Sequence, residues 1–129
     1  MKKLTKKAIS TSMAALIILP SFSTDSQERE TNSANYWIPR CKYLLVDQYR
    51  GGFDVGFGVG VCAGMVDSIS YFSRLLPEHM KSCKPEGVTN EQLIRVVITY
   101  IEARPARMHE NIKDLIVEAF SHNWPCKLK

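Results

Sequence analysis

Closely spaced metal ligands are missing from this sequence. Its four cysteines, Cys41, Cys62, Cys83 and Cys126, form no C-x-x-C pair, and its three histidines, His79, His109 and His122, stand far apart. A zinc site built on His79 and Cys83 lacks the second close pair that such sites use. A dinucleotide fingerprint is missing too: Gly58, Gly60 and Gly64 do not fit G-x-G-x-x-G, and no strand-helix-strand pattern surrounds them. There is no internal repeat and no low-complexity tract. With 129 residues there is room for one domain and not for two cores. Apolar residues at 45% and charged residues at 23% exclude both a disordered chain and a multi-span membrane protein.

A surplus of positive charge is also absent from most of the chain. The formal charge of +4 comes wholly from Lys2, Lys3, Lys6 and Lys7. The remainder is neutral, which argues against nucleic acid as a partner, because phosphate neutralisation needs excess Lys and Arg. Those lysines precede an apolar run over residues 8–19, followed by Pro20, Ser21, Phe22 and Ser23. This is the layout of a secretory signal peptide, expected to be cleaved after Ser23. The run is about half of the roughly 20 residues a spanning helix needs. No later segment is expected to cross a bilayer, and Cys41 lies too far downstream for a lipid anchor, so no membrane association is expected after cleavage.

Export delivers all four cysteines to an oxidising compartment, where two cystines are the expected state. Three connectivities are open; the pairing taken as the expectation is Cys62 with Cys83 and Cys41 with Cys126.

Residues 24–34 are polar, without an apolar period, and read as a flexible leader before a helical domain at 35–129. Ile38, Cys41, Leu44, Leu45 and Tyr49 recur at helical spacing up to Arg50, where Gly51 and Gly52 supply a stop. The stretch 53–67 alternates apolar residues with glycine as a strand would. Its apolar series nevertheless continues through Val66, Ile69 and Phe72, too long for one strand, so a helix capped by Asp54 and ended by Pro77 is expected. Gly56, Gly60 and Gly64 lie four apart on that helix, and their cost of about 1 kcal/mol each calls for a close neighbouring helix along the glycine face. Residues 78–87 have turn chemistry. Thr89 with Gln92 is a capping box, with Val88 placed to staple onto Leu93. The helix it opens should bury Leu93, Val96, Val97, Tyr100 and Ile101. A fourth helix is expected from Pro105, in its first turn, to Trp124-Pro125, burying Met108, Ile112, Leu115, Ile116, Ala119 and Phe120. The fold class that results is all-α, a small four-helix domain with two disulfides.

Little of this carries chemistry. Cys62 beside His109 would make a nucleophile and base only if Cys62 were free, and pairing is the simpler use of an exported cysteine. His109, beside Met108, reads as a half-buried packing histidine. Glu78, His79, Lys81, Lys84 and Glu86 read by themselves as a solvated loop.

A set of short patterns adds to this reading. Cys62-Ala63-Gly64, Cys83-x-Pro85, Gly87-Val88-Thr89, Gln92, Val96-Val97, Tyr100, Pro105-x-x-x-His109, Leu115, Ala119 and Trp124-Pro125-Cys126 resemble the Rap/Tai family of periplasmic immunity proteins. The resemblance spans residues 41–126. Met65, Ser68 and Ile112 depart from the family pattern but stay small or apolar. The resemblance implies a small helical homodimer without enzymatic activity or cofactor. It would neutralise a peptidoglycan amidase delivered by a type VI secretion system, by occluding its active site with a loop. Residues 78–86 are then the expected contact segment, with Gly56, Gly60, Gly64, Pro105 and His109 in structural roles. An acid-responsive periplasmic chaperone is the alternative for a small, helical, cystine-bearing exported chain.

Overall fold

The computed structural model describes residues 24–46 and 52–127. The signal peptide expected at residues 1–23, together with Tyr49, Arg50 and Gly51, lies outside them. The described residues contain five α-helices, joined by 3-10 turns and loops and without a strand: α1 (Thr24–Thr31), α2 (Ala34–Lys42), α3 (Phe53–Phe72), α4 (Asn90–Glu102) and α5 (Ile112–Asn123). The all-α architecture agrees with the sequence reading, with α2 to α5 as its four-helix core.

That core is apolar and shared among the four helices. Ala34, Ile38 and Cys41 come from α2, Cys62 and Val66 from α3, Leu93, Val97 and Ile101 from α4, and Ile112, Leu115, Ile116, Ala119 and Phe120 from α5. Ile94 and Ile98 are buried as well, so α4 buries a wider stripe than the expected one, while Val96 and Tyr100 pack at its edge. Thr89 caps α4 in a complete capping box with Gln92, as the spacing predicts.

Several boundaries differ from expectation. The leader is helical in α1, and the next residues are tied into the domain. Ser33 is buried and bridges to Asn111, and the Ala34 and Ile112 amides donate to the Glu110 and Asn32 carbonyls. No apolar period announces this, because the order comes from backbone bonds to a distant turn. α2 ends at Lys42 and a 3-10 turn carries the chain to Leu45. Val46 is extended, so the helix does not run through to Arg50. α3 is capped by Gly52, with Asp54 inside its first turn. The expected fourth helix is broken. Pro105 opens a 3-10 turn, Pro105–Arg107, and α5 starts only at Ile112, where the Asn111 side chain caps it by accepting from the Lys113 amide. A capping asparagine outcompetes propagation from the proline.

The cystines are Cys41–Cys62 and Cys83–Cys126. This corrects the expected pairing: Cys41 on α2 meets Cys62 on α3 in the core, and Cys83 lies on the loop beside the end of α5. Chain-entropy reasoning assigns about 3.4 kcal/mol to the first and about 4 kcal/mol to the second, for sequence separations of 21 and 43.

The glycine face also differs. Gly58, not Gly60 or Gly64, meets α2: a Cβ there would lie 2.9 Å from Cδ of Arg40, whose guanidinium stacks 3.6 Å from the Tyr36 ring centroid. A Cβ at Gly60 or Gly64 would meet nothing within 4 Å. The neighbouring helix expected there is not supplied by this chain among the described residues. Gly56 lies in the first turn, its amide donating to the Gly52 carbonyl. The stretch Val55–Leu75 is, by length and composition, apolar enough to cross a membrane, contrary to expectation. In the fold it is the central helix, cross-linked to α2 and packed on α4 and α5, and its outward face mixes the exposed Phe57, Tyr71 and Phe72 with Asp67 and Ser68.

Candidate functional site

The loop from Pro77 to Thr89 begins where α3 ends in a 3-10 turn, Ser73–Leu75, and Leu76 turns extended before the proline. Three buried serines pin it. Ser82 Oγ donates to Ser73 Oγ at 2.7 Å, and Ser73 Oγ donates to the Ser70 carbonyl at 2.8 Å. Ser82 also bridges to Pro125, and the Cys83 amide donates to the Trp124 carbonyl at 2.8 Å. The Cys83–Cys126 cystine closes the same junction. At the far end Gly87 has φ of 82°, a left-handed turn that delivers the chain to the Thr89 cap.

The expected contact residues do not form one cluster. Glu78, His79 and Lys81 border a groove of about 620 Å³ whose other wall includes Tyr100, Glu118 and His122. Lys84 and Glu86 border a second groove of about 370 Å³, facing Asp67, Tyr71 and Arg74 on the end of α3. The pinned Ser82-Cys83 step stands between the two. Glu78, His79 and Glu86 are exposed, and Lys81 pairs with Glu78 at 3.1 Å. His109 is exposed rather than half-buried. It sits in the turn before α5, beside Ser33 and Asn35.

One wall of the larger groove is a polar cluster that the sequence reading missed. Arg107 donates to both carboxylate oxygens of Glu118, at 2.6 and 2.9 Å, and to both of Glu110, at 2.8 and 2.6 Å. Tyr100 donates its hydroxyl to Glu118, and Arg104 stacks 3.7 Å from the Tyr100 ring centroid. Hydrogen bonds from Arg107 hold the Glu118 and Glu110 carboxyls below the ordinary carboxylate range, and the two glutamates, Glu118 foremost, raise Arg107 in turn. Only the Arg107–Glu110 spacing of three could have been read in advance, since Glu118 lies on the second turn of α5.

Among the described residues no cysteine is free, and no group of three or more His, Cys, Asp or Glu is placed to hold a metal ion. Cys62, which beside His109 could act as a nucleophile only if free, is bonded to Cys41 and buried. What the site offers is a rigid, charged relief. A family profile of Rap1a immunity proteins matches residues 33–126. The chain belongs to the Rap1a immunity protein family. No curated protein and no solved structure matches it. The span shared with the Rap1a family starts at Ser33, the buried cap of α2, and ends at Cys126, the last sulfur of the cross-linked unit.

Proposed function

We propose that this protein is a periplasmic immunity protein, exported through a cleaved signal at residues 1–23. Its partner is a peptidoglycan amidase delivered by a type VI secretion system, which it blocks at the active site without catalysis of its own. Family membership supports an effector as the partner. The observation that carries the rest is the loop fixed at Ser82 and Cys83, with exposed charged side chains on both sides of that anchor. A loop ordered beforehand loses little conformational freedom on docking, so more of its contact energy appears as affinity. Glu78, His79, Lys81, Lys84 and Glu86 form the inhibitory surface in this reading.

The protein acts as a homodimer in the same proposal. Phe57 and Tyr71, 66% and 63% exposed, flank Gly60 and Gly64 along the outward face of α3, a surface suited to a close two-fold helix crossing.

The test is amidase inhibition by a charge-reversal series, Glu78→Lys, Lys81→Glu, Lys84→Glu and Glu86→Lys. Inhibition is expected to weaken in at least the variants on one side of Cys83. Full inhibition by all four would move the contact to another face.

A further inference from the structure

The two cystines differ in what can reach them. Cys41 and Cys62 are 1% and 0% exposed, enclosed between α2 and α3. Cys83 is exposed, and Cys126 is half-buried on the wall of the larger groove, so this cystine lies at the surface of the fold where the other does not. Lys84 and Lys127 directly follow the two cysteines in the chain, and positive charge nearby favours the thiolate that must leave in exchange.

We propose that Cys83–Cys126 is a site of thiol–disulfide exchange with a dithiol reductant, and that its opening loosens residues 77–89 while Cys41–Cys62 stays closed. A thiolate of the reductant attacks Cys83 Sγ, the sulfur–sulfur bond breaks, and Cys126 leaves as a thiolate that takes up a proton. The second thiolate of the reductant then attacks its own sulfur in the mixed disulfide and releases Cys83. Two electrons and two protons pass to the protein, and the dithiol becomes a disulfide. The fold is retained, because the core and its cystine are untouched. The loop then loses its covalent tie and keeps its hydrogen bonds to Ser73 and Trp124, its bridge to Pro125 and the Thr89 cap. A consequence for partner affinity rests on the function proposed above; the exchange itself does not.

The experiment exposes the purified protein to graded dithiothreitol, traps thiols with iodoacetamide and maps the products by mass spectrometry. Cys83 and Cys126 are expected to be alkylated about tenfold or more faster than Cys41 and Cys62. Equal rates, or earlier labelling of Cys41 and Cys62, overturn the proposal. Hydrogen exchange on the selectively reduced protein, and on a C83S/C126S variant, should show lost protection in residues 77–89. Unchanged protection there overturns the loosening. Selective opening and a loosened loop with undiminished amidase inhibition would leave the exchange site standing and reject the loop as the inhibitory surface.

Discussion

Ser82 reaches Ser73 through a hydrogen bond between the hydroxyls of two residues that are each 1% exposed, and this bond joins the loop to the end of the longest helix. The pair is asymmetric. Ser82 donates to Ser73, which donates onward to the Ser70 carbonyl.

Removing the acceptor therefore costs more than removing the donor. Ser73→Ala leaves the Ser82 hydroxyl buried without its partner and is expected to destabilise by about 1–3 kcal/mol, against about 1 kcal/mol for Ser82→Ala. Urea denaturation of the two single variants and the double checks this, with the double costing less than the sum.

Gly87→Ala places a Cβ in left-handed backbone at φ of 82°. A loss of about 1–2 kcal/mol is expected, read as a shift of the denaturation midpoint. The same variant should raise hydrogen exchange just before the Thr89 cap.

Gly58→Ala and Gly60→Ala should separate. Both gain up to about 1 kcal/mol in helix propensity. At Gly58 the new methyl must displace the Arg40 stem from its place over Tyr36, so the gain is offset or reversed. At Gly60 and Gly64 none of the described residues stands in the way, so alanine stabilises the isolated subunit. If α3 pairs with a second copy, the same alanines weaken that contact. Sedimentation at micromolar concentration should show G60A/G64A shifted toward monomer, and an unchanged dimer would move the interface elsewhere.

The Arg107 cluster predicts a pH signature. Glu110 and Glu118 are held below the usual range in the folded state, so their stabilisation is complete above the unfolded value of about 4.3 and fades as pH falls through the lowered values. Arg107→Met should lower the melting temperature at pH 7 and lower it less at pH 3, which melting curves across that range will show. Equal losses at both ends would mean that Arg107 acts by packing alone.

The parts of the fold written in local periodicity were readable in advance. Thr89 with Gln92 marks the start of α4, and Leu93, Val97 and Ile101 on α4 and Ile112, Leu115, Ile116, Ala119 and Phe120 on α5 are buried where their spacing puts them. Features that depend on the meeting of distant segments were not. Nothing local reveals that Cys41 faces Cys62, or that Arg107 reaches Glu118 across a broken helix. Pro105 opens a turn that Asn111 then ends. α1 has no apolar period at all, and the Asn32-Ser33-Ala34 segment after it is tied down by backbone bonds to residues 110–112. The glycines were legible as unusual, but which of them touches α2 depends on rotation about the helix axis. The contact segment was legible as a charged loop, and its division between two grooves was not, because Ser82 is pinned from both α3 and the tail of α5.

In sequence, the two cross-links are consecutive, neither nested nor crossed: Cys41 closes on Cys62 before Cys83 is reached. For a chain oxidised as it emerges N-terminus first, the first two cysteines to appear are one pair and the last two are the other. Joining them in order of arrival already yields the final connectivity, so no shuffling catalyst has to undo a mistake.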